Sequence, residues 1–352
     1  MKILYLTKYT RMAGSSRMRS YQYFPYLEAA GMQAVVKPFF DEAYLKDFYA
    51  GKKNISAVLK SYLRRFFLLF SVWKYDKVVI EKEIFPFLPA FAEWILKASG
   101  VKYIVDYDDA IFHNYDQSSN PVIKKFLRNK IAQVMRYSEI VVAGNGYLAE
   151  YASRSGAEKI QIIPTVIDLD RYPLKQKSDF EKFVVGWIGT KTTFEKHLLP
   201  CKEWIKELQN QDSDIHFHIV GITEDMDLGE NVKYIQWTEN TEVPEILKMD
   251  VGIMPLQDSE WEKGKCAYKL IQYAACGIPG VASDVGMNKE VCIDNETGFI
   301  AKLKDEWIEK ILFLKNNSQM RNEMGHAARK LVEDKYCIQV TAESWGEVII
   351  KQ

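Results

Sequence analysis

The sequence predicts an α/β protein built from two doubly wound parallel-sheet domains. Short apolar runs typical of buried strands alternate with helical segments in both halves of the 352-residue chain. A Pro- and Asp-rich passage, PTVIDLDRYPL, and the polar KQKSDFEK behind it separate the two series. We therefore predict a first domain over 1–165, a linker over 166–182, a second domain over 183–336 and a terminal helix over 337–352. The alternative, a single (β/α)₈ barrel, fits this marked boundary less well.

Composition excludes several classes of function. Lys+Arg and Asp+Glu both number 47, so no global charge indicates a nucleic-acid partner. The five cysteines are scattered without a CxxC pair, which predicts neither a zinc site nor a disulfide framework and suits a reducing cytoplasm. The opening MKILYLTKYT is too short for a signal peptide, and no run of about twenty apolar residues predicts a membrane-spanning helix.

The first domain opens with a strand at Ile3 to Leu6 and a polar, glycine-containing loop. Strand, small-residue loop and helix form the first unit of a doubly wound fold, which binds ligands at the carboxyl end of the strand. The loop offers contacts to a phosphate or to an acceptor; the alternative is a solvated loop. The candidate residues of this acceptor-side loop are Gly14, Ser15, Ser16 and Arg17.

An apolar, aromatic helix is predicted over residues 55–75, ISAVLKSYLRRFFLLFSVWKY, with Lys60, Arg64 and Arg65 forming a basic stripe. Helices that mix Phe, Trp and Leu with basic side chains can lie in a membrane interface. The alternative is a helix packed on the parallel sheet with its arginines in water. Peripheral membrane contact through this helix therefore stays open.

Three carboxylates follow the buried strand Tyr103 to Val105. Asp106, Asp108 and Asp109 lie at its carboxyl end, where an α/β sheet keeps its chemistry. Such acids can hold a divalent cation, act as a general base or cap the next helix. The D-x-D pattern also resembles the nucleophile loop of haloacid-dehalogenase phosphatases, but Ala110 follows it where that motif has Thr or Val. An acid in the active cleft is the favoured interpretation.

The second domain begins with the strand FVVGWI at 183–188. Its first turn, 189–193, brings glycine and hydroxyl residues together, and these could approach a pyrophosphate, with Lys191 or Lys196 as the counter-charge. Strands at 215–221 and 232–237 continue the series at regular intervals.

The stretch from Trp261 to Ser283 predicts a glycine-bearing loop, a helix, a turn and a buried strand. A loop that opens onto a helix N-terminus favours an anion through free backbone N–H groups and the helix dipole. Lys263, Lys265 and Lys269 add positive charge there. The alternative is an ordinary αβ unit with a lysine-rich solvated rim.

Several motifs in sequence order resemble the GT-B superfamily of retaining glycosyltransferases, close to glycosyltransferase family 4. They are PTVIDLDRY, GWIGT, DVGIMPL, KLIQYAACGIPGVAS, GMNKEV and TGFIA. The resemblance covers Ile162 to the end, whereas the first half matches in architecture more than in motifs. It implies two Rossmann-like domains facing across a cleft, with the donor held mainly by the second and the last helix crossing back to the first.

The resemblance also implies an activity. It predicts transfer of a sugar, with retention, from a nucleotide-sugar donor to a glycan or lipid-linked acceptor in cell-surface polysaccharide or glycoconjugate synthesis. No cofactor or metal ion is required if backbone dipoles and lysines supply enough charge. We expect a cytoplasmic enzyme, with association with the inner face of the membrane left open.

The family signature, two glutamates separated by seven residues, is altered at both positions. In the family, the second glutamate accepts hydrogen bonds from the ribose hydroxyls. It corresponds to Gln272 here, and the first glutamate corresponds to Gly264. Glu262 is the candidate replacement, beside Asp108 or Asp109 as acceptor-side base. The predicted donor-binding residues, with Lys191 and Lys269 on the diphosphate, are Gly189, Thr190, Lys191, Gly264, Lys265, Lys269, Leu270 and Gln272.

Two other functions stay open at this point. The missing first glutamate suits a catalytically silent homologue that binds a nucleotide sugar or glycan. A sugar-nucleotide epimerase of the same fold would need no separate acceptor.

Overall fold

A computed structural model describes residues 1–176 and 182–350. The chain divides into two compact units. The first contains Met1–Thr165 together with Gly264–Cys266 and Thr341–Gln352, and the second contains Val166–Lys263 and Ala267–Val340.

Two predicted segments extend beyond the described residues. The linker predicted over 166–182 includes residues 177–181, and the terminal helix predicted over 337–352 includes residues 351–352; both groups lie outside the described ranges. The last helix, α18, spans Ile338–Ile350.

The first unit is built on a parallel six-stranded sheet. Its four central strands form because short runs of Ile, Val, Leu and Tyr are buried on both faces, whereas the edge strands are more exposed. The strand order is β2-β1-β3-β4-β5-β6, so the direction of winding reverses between β1 and β3. The strands are β1 Lys2–Leu6, β2 Gln33–Val36, β3 Lys77–Glu81, β4 Tyr103–Tyr107, β5 Ile140–Ala143 and β6 Ile160–Ile162. The helices are α1 Gly14–Arg19, α2 Phe24–Ala29, α3 Glu42–Tyr49, α4 Ile55–Leu69, α5 Phe91–Ala98, α6 His113–Asp116, α7 Pro121–Leu127, α8 Lys130–Tyr137 and α9 Gly146–Arg154.

Residues from Thr341 onward are part of this first unit. The Trp345 indole donates to the Tyr5 hydroxyl at 3.2 Å, and the Thr341 and Tyr23 hydroxyls lie 3.0 Å apart. Burial of Trp345 against β1 therefore fixes this half of α18.

The second unit repeats the architecture. Its parallel sheet has the order β12-β11-β10-β7-β8-β9, and the winding reverses between β7 and β10. The strands are β7 Phe183–Ile188, β8 Ile215–Val220, β9 Val232–Ile235, β10 Val251–Met254, β11 Gly280–Ser283 and β12 Gly298–Ala301. The remaining helices are α10 Lys191–Thr193, α11 Lys202–Gln211, α12 Glu242–Ile246, α13 Glu260–Lys263, α14 Tyr268–Ala275, α15 Asn288–Val291, α16 Lys304–Asn316 and α17 Ser318–Lys335, with a π-helical turn at Phe194–Leu198.

The two doubly wound sheets confirm the predicted fold class. In such sheets, ligands bind outside the carboxyl ends of the strands at the point where the winding reverses. This rule directs attention to the ends of β1 and β3 in the first unit, and of β7 and β10 in the second.

Two local predictions in the first unit are wrong. Residues 14–17 form the start of helix α1 instead of a loop. Arg65 is buried and not in water, because its guanidinium donates to the Thr7 and Lys37 carbonyls at 3.1 and 2.9 Å. Within the described residues, none of the helices combines the length and apolar character needed to cross a bilayer.

Candidate functional site

A cluster of charged side chains occupies the point in the first unit where the winding reverses. We call it the acidic cluster: Ser15, Glu81, Lys82, Asp108 and Asp109. Glu81 ends β3, Lys82 follows it in a left-handed conformation with φ of 69°, and the two aspartates follow β4. A left-handed lysine is costly unless its surroundings fix it, and such strain is common at functional sites.

Lys82 joins the members of this cluster. Its ammonium lies 2.9 Å from Asp108, 3.9 Å from Asp109 and 3.1 Å from the Ser15 hydroxyl. Ser15 in turn donates to Asp108 at 2.5 Å. The predicted residues Ser15, Asp108 and Asp109 are therefore brought together, and Lys82 is the cation that holds them.

The two aspartates are in different protonation environments. Burial raises the pKa of Asp108, but the Lys82 charge and hydrogen bonds from Ser15 and Lys82 more than offset it, so that pKa lies below its usual range. Burial and the neighbouring Asp108 raise the pKa of Asp109, which Lys82, Lys265 and Lys8 only partly oppose. The Asp109 side chain is 34% exposed and that of Asp108 only 11%. Asp109 is therefore the better-placed proton acceptor.

Glu81 lies deeper in the same cluster. Burial raises the pKa of its carboxyl to about 7, with Lys82 opposing the shift. Ser16 of helix α1 donates to Glu81 at 2.9 Å, so this predicted acceptor-side residue instead supports the cluster from below. Gly14 begins the helix with open space around it, and Arg17 is buried in it.

A buried ion pair supports the strand that carries the aspartates. The Arg19 guanidinium makes two contacts with Asp106 and also donates to the Ile163 carbonyl at 2.8 Å. Burial raises the pKa of Asp106 despite the opposing charge of Arg19. Asp106 is therefore a structural member of the predicted acid trio.

The segment Gly264–Cys266 packs into the first unit beside the acidic cluster. The Asn145 amide donates to the Gly264 and Lys265 carbonyls at 3.0 and 3.2 Å, and the Cys266 thiol lies 3.0 Å from the Asp108 carbonyl. Lys265, predicted to bind the donor, adds positive charge near Asp109.

Gly264 has no room for a side chain. A Cβ atom there would lie 2.5 Å from the Ala110 Cβ and 2.8 Å from the Ala110 nitrogen. The position that corresponds to the first signature glutamate is thus filled by backbone packing.

In the second unit, the predicted donor residues surround the end of β7. The Gly189 and Thr190 N–H groups donate to the Val220 carbonyl and the Thr193 hydroxyl, both at 3.0 Å, and a Thr190–Thr193 capping box starts α10. A Cβ at Gly221 would lie 1.9 Å from the Gly189 oxygen, so only glycine allows the β7 and β8 ends to approach this closely.

The N-terminus of α14 reaches the same place. Its N-cap residue, Ala267, has a left-handed φ of 49° and provides no side-chain cap for the helix. Lys269 in this turn lies over the Trp187 ring, with Nζ 4.7 Å from the ring centroid, and its Cε is 3.1 Å from the Cβ position built at Gly189. Leu270 is buried in the core beneath.

Lys191 does not join this group in the described structure. Its exposed ammonium pairs with Glu224 at 2.8 Å on the surface. The two cations predicted for the diphosphate therefore differ, because Lys269 is held at the β7 end and Lys191 is held by a solvated carboxylate.

Glu262 is enclosed and does not present an open carboxylate. Its side chain is 0% exposed, and it pairs with Lys196 at 2.7 Å and with His197 at 3.3 Å. Ser259 also donates to it. Burial raises its pKa, but the contacts with Lys196 and Ser259 more than offset this, so the carboxylate is ionised. Glu262 holds the Lys196–His197 turn in place.

Gln272 is a buried member of a polar chain. Its Nε2 donates to the Tyr172 hydroxyl at 3.1 Å, and this hydroxyl donates to Glu242 at 2.8 Å. Trp237 donates to the other oxygen of Glu242 at 2.8 Å. A chain of this kind fixes the orientation of the Gln272 amide.

Sequence reasoning missed Glu81, Lys82, Tyr172 and Glu242. The charged run Glu81-Lys82-Glu83 directly follows a buried strand, as the aspartates do, so the strand-end rule could have found the first two. Among the described residues, no three or more His, Cys, Asp or Glu side chains are grouped so as to hold a metal ion.

Comparison with protein families supplies the next observation. The family model described as "Glycosyl transferases group 1" matches residues 180–331, which carry the β7 end, α14 and Gln272. Residues 180–331 are therefore similar to this family. The match to the group 1 family confirms the resemblance inferred from the motifs. Comparison with curated proteins gave no match.

Solved structures share the fold over the full chain. Sucrose-phosphate synthase from Thermosynechococcus elongatus is 14% identical with a TM-score of 0.73, covering 100% of this chain and 98% of its own. Anabaena HepE, solved with UDP and glucose, is 15% identical with a TM-score of 0.72, covering 100% of both chains. A Rickettsia africae glycosyltransferase is 12% identical with a TM-score of 0.72, covering 100% of this chain and 99% of its own. The GT-B fold of the group 1 enzymes is therefore the fold of this chain.

Proposed function

We propose that the protein is a glycosyltransferase that moves a sugar from a nucleotide-sugar donor to a glycan or lipid-linked acceptor. The observation that carries this proposal is the position of the α14 N-terminus and of Lys269 at the end of β7, inside the segment that matches the glycosyltransferase family. HepE was solved in three complexes: with UDP, with UDP together with glucose, and with UDP-glucose. A uridine-diphosphate sugar is therefore the first donor to test.

The donor's departure places negative charge on the β-phosphate. Backbone N–H dipoles at the start of α14 and the Lys269 ammonium would stabilise that charge as it develops. In the proposal these groups suffice without a metal ion or another cofactor. Gln272 would accept a ribose hydroxyl through its carbonyl oxygen, because its Nε2 donates to Tyr172.

The acceptor hydroxyl must lose a proton during transfer. Asp109 is favoured over Asp108 for this role by its greater exposure and its raised pKa. Lys82 would keep Asp108 ionised, and Asp108 would in turn keep Asp109 basic. Retention of anomeric configuration is part of the proposal and follows from the family resemblance.

The proposed setting is cell-surface polysaccharide or glycoconjugate synthesis. A scattered, unpaired set of cysteines supports a cytoplasmic location. Peripheral contact with the inner face of the membrane belongs to the same proposal.

A thermal-shift screen against UDP-, GDP-, ADP- and dTDP-sugars tests donor binding, because a ligand of the folded state raises the melting temperature. A transfer assay with the bound donor follows. Asp109→Asn should keep donor binding and lose about 10²–10⁴-fold in transfer rate. The matched control is Asp76→Asn, at an exposed aspartate of the same unit, which should keep full activity.

The outcomes separate the three candidate functions. Donor binding without transfer or hydrolysis would favour a silent homologue, and interconversion of the sugar without an acceptor would favour an epimerase. Full activity in Asp109→Asn would remove Asp109 from the mechanism.

A further inference from the structure

Helix α4 directs an apolar face toward solvent. Counted at about 100° per residue, six large apolar side chains share an arc of roughly 120° on its outer face. They are between 44% and 81% exposed. We call this set the apolar stripe, and its members are Ile55, Leu59, Leu63, Phe66, Phe67 and Phe70.

The fully buried residues of the same helix are polar. Its buried residues are Ser61 and Arg65. Ser61 donates to the Ala57 carbonyl at 2.9 Å, and Arg65 donates to two main-chain carbonyls through Nη2, whereas its buried Nη1 has no hydrogen-bond partner among the described residues. These bonds fix the rotation of the helix, because turning the apolar stripe inward would expose or strand a buried guanidinium.

The apolar surface continues beyond α4. Tyr62 donates to the Pro86 carbonyl, and its ring stacks on Phe85, which stacks on Phe91, with ring-centroid distances of 6.0 and 5.7 Å. These contacts seat α4 beside the segment that leads into α5. Exposed large apolar residues in that segment and just after α4 are Trp73, Phe87, Leu88, Phe91, Trp94 and Ile95.

The charges within the segment that carries the apolar stripe have one sign, and the preceding segment places Asp41 beside Arg64 at 3.3 Å. Residues 51–75 contain six basic residues and no acidic one, although acidic and basic residues are equal in number over the whole chain. Lys60 and Arg64 follow the stripe along one edge, and Lys53 precedes the helix. An exposed apolar patch edged by basic side chains matches the chemistry of an anionic lipid surface.

We propose that the apolar stripe and its basic edge bind an anionic lipid bilayer. Phe and Trp side chains enter the boundary between headgroups and acyl chains, while Lys53 and Lys60 meet lipid phosphates. A second copy of the chain is disfavoured as the occupant, because a two-fold contact through this face would bring together two segments that each carry six basic residues and no acidic one.

The position of α4 near the acidic cluster indicates what a bound bilayer would do for the reaction, an inference that rests on the proposed function. Arg65 donates to the carbonyls of Thr7 and Lys37, and these residues follow the carboxyl ends of β1 and β2. The acidic cluster lies at the same edge of the sheet, after β3 and β4. A bilayer bound at this edge would present a lipid-linked acceptor headgroup to Asp109, so the inferred acceptor class is lipid-linked.

Liposome flotation of the full-length protein tests the surface without any donor. Wild type should float with vesicles of phosphatidylcholine and phosphatidylglycerol and much less with phosphatidylcholine alone. About 1 M salt, where the Debye length is about 3 Å, should weaken the binding.

Two variants probe the two parts of the surface. Leu59→Gln/Phe67→Gln should lower the bound-to-free ratio about 100-fold, at about tenfold for each lost side chain. Lys53→Gln/Lys60→Gln should lower it about tenfold or more. The matched control is Val122→Gln/Phe126→Gln on α7, whose side chains are equally exposed and four residues apart. It should float like wild type.

Each outcome either supports or overturns the membrane proposal. Absence of wild-type flotation, or equal flotation of the apolar variant and the α7 control, overturns the proposal. So does a dimer in light scattering that Leu59→Gln/Phe67→Gln breaks while no vesicles are bound. Failure of the glycosyltransferase proposal appears separately, as absence of nucleotide-sugar binding in a protein that still floats.

Discussion

The two candidate sites lie at equivalent points of two similar sheets but differ in how far their charged side chains are buried. In the first unit, Lys82, Asp108 and Glu81 are buried together and neutralise one another. In the second, Lys191 and Lys196 are half-exposed, and Lys191 is paired with a solvated carboxylate. The charges of the first site form a closed network, whereas Lys191 and Lys196 in the second unit reach solvent, although Lys196 also pairs with the buried Glu262.

This difference matches the two tasks in the proposed reaction. A proton acceptor needs a fixed protonation state, which a buried network supplies through its neighbours. A diphosphate site must take in and release a charged ligand, which cations at a surface can do with little desolvation.

Removing the Lys82 charge tests the closed network most severely. Lys82→Met leaves Asp108 and Asp109 without their cation, and breaking a buried ion pair in this way costs about 3–5 kcal/mol. Urea unfolding should show this loss. The matched control is Lys102→Met, which removes a 64% exposed lysine paired with Glu139 and should cost about 0–1 kcal/mol. Equal costs in the two variants would mean that the acidic cluster is solvated.

The environment of Glu81 predicts that the stability of the fold depends on pH. Burial raises the pKa of its carboxyl from 4.5 to about 7. The folded protein therefore retains a proton that the unfolded chain releases, and stability falls as pH rises from about 4.5 to about 7. Glu81→Gln removes this fall. Across that window, the free energy of unfolding of the variant should therefore rise relative to that of wild type by roughly 3 kcal/mol at most.

Glu139 provides the control for that titration. The hydrogen bond from Lys159 lowers the pKa of Glu139 below its usual range. Its contribution is therefore complete before the Glu81 window begins, and the difference between wild type and Glu139→Gln should stay constant from about pH 5 to 8. A Glu81→Gln curve parallel to wild type would show that Glu81 stays ionised in the fold.

The sequence predicted the parts of this contrast that depend on local pattern. Apolar runs and turn residues indicate two parallel sheets, and the strand-end rule located the aspartates and the turn after β7. Pairings between distant segments have no such signal. Nothing near Glu262 in sequence indicates that His197 and Lys196 enclose its carboxylate, nor that Ala110 fills the space beside Gly264.

Helix α4 shows a second limit of pattern. Periodicity shows that apolar and polar residues lie on opposite faces of a helix, but it does not state which face is inside. The default places the apolar face in the core. Here Arg65 finds carbonyls at the strand ends, and this long-range contact inverts the default.

The second unit is tested by comparing two lysines. Lys269→Ala should weaken nucleotide-diphosphate binding about 10- to 100-fold, because a charge-assisted contact contributes about 1.5–3 kcal/mol. Lys191→Ala should change affinity only a few-fold, since its ammonium already pairs with exposed Glu224 and solvent screens such surface pairs. Calorimetry with UDP and its sugars measures both. A larger loss for Lys191 would mean that this residue exchanges Glu224 for the phosphate.

Gly264 is where the chain departs from the family signature, and it gives the smallest expected effect. A Cβ there meets Ala110 at 2.5 Å, so Gly264→Ala should destabilise the protein by about 1–3 kcal/mol. Gly146→Ala, with nothing within 4 Å of the new carbon, is the control and should be neutral or slightly stabilising. Gly264→Glu restores the family's acid but forces the segment away from Ala110 and Asn145. We expect it to reduce transfer, because it moves Lys265 away from Asp109. An increase in transfer would show that the site needs the missing carboxylate more than it needs this packing.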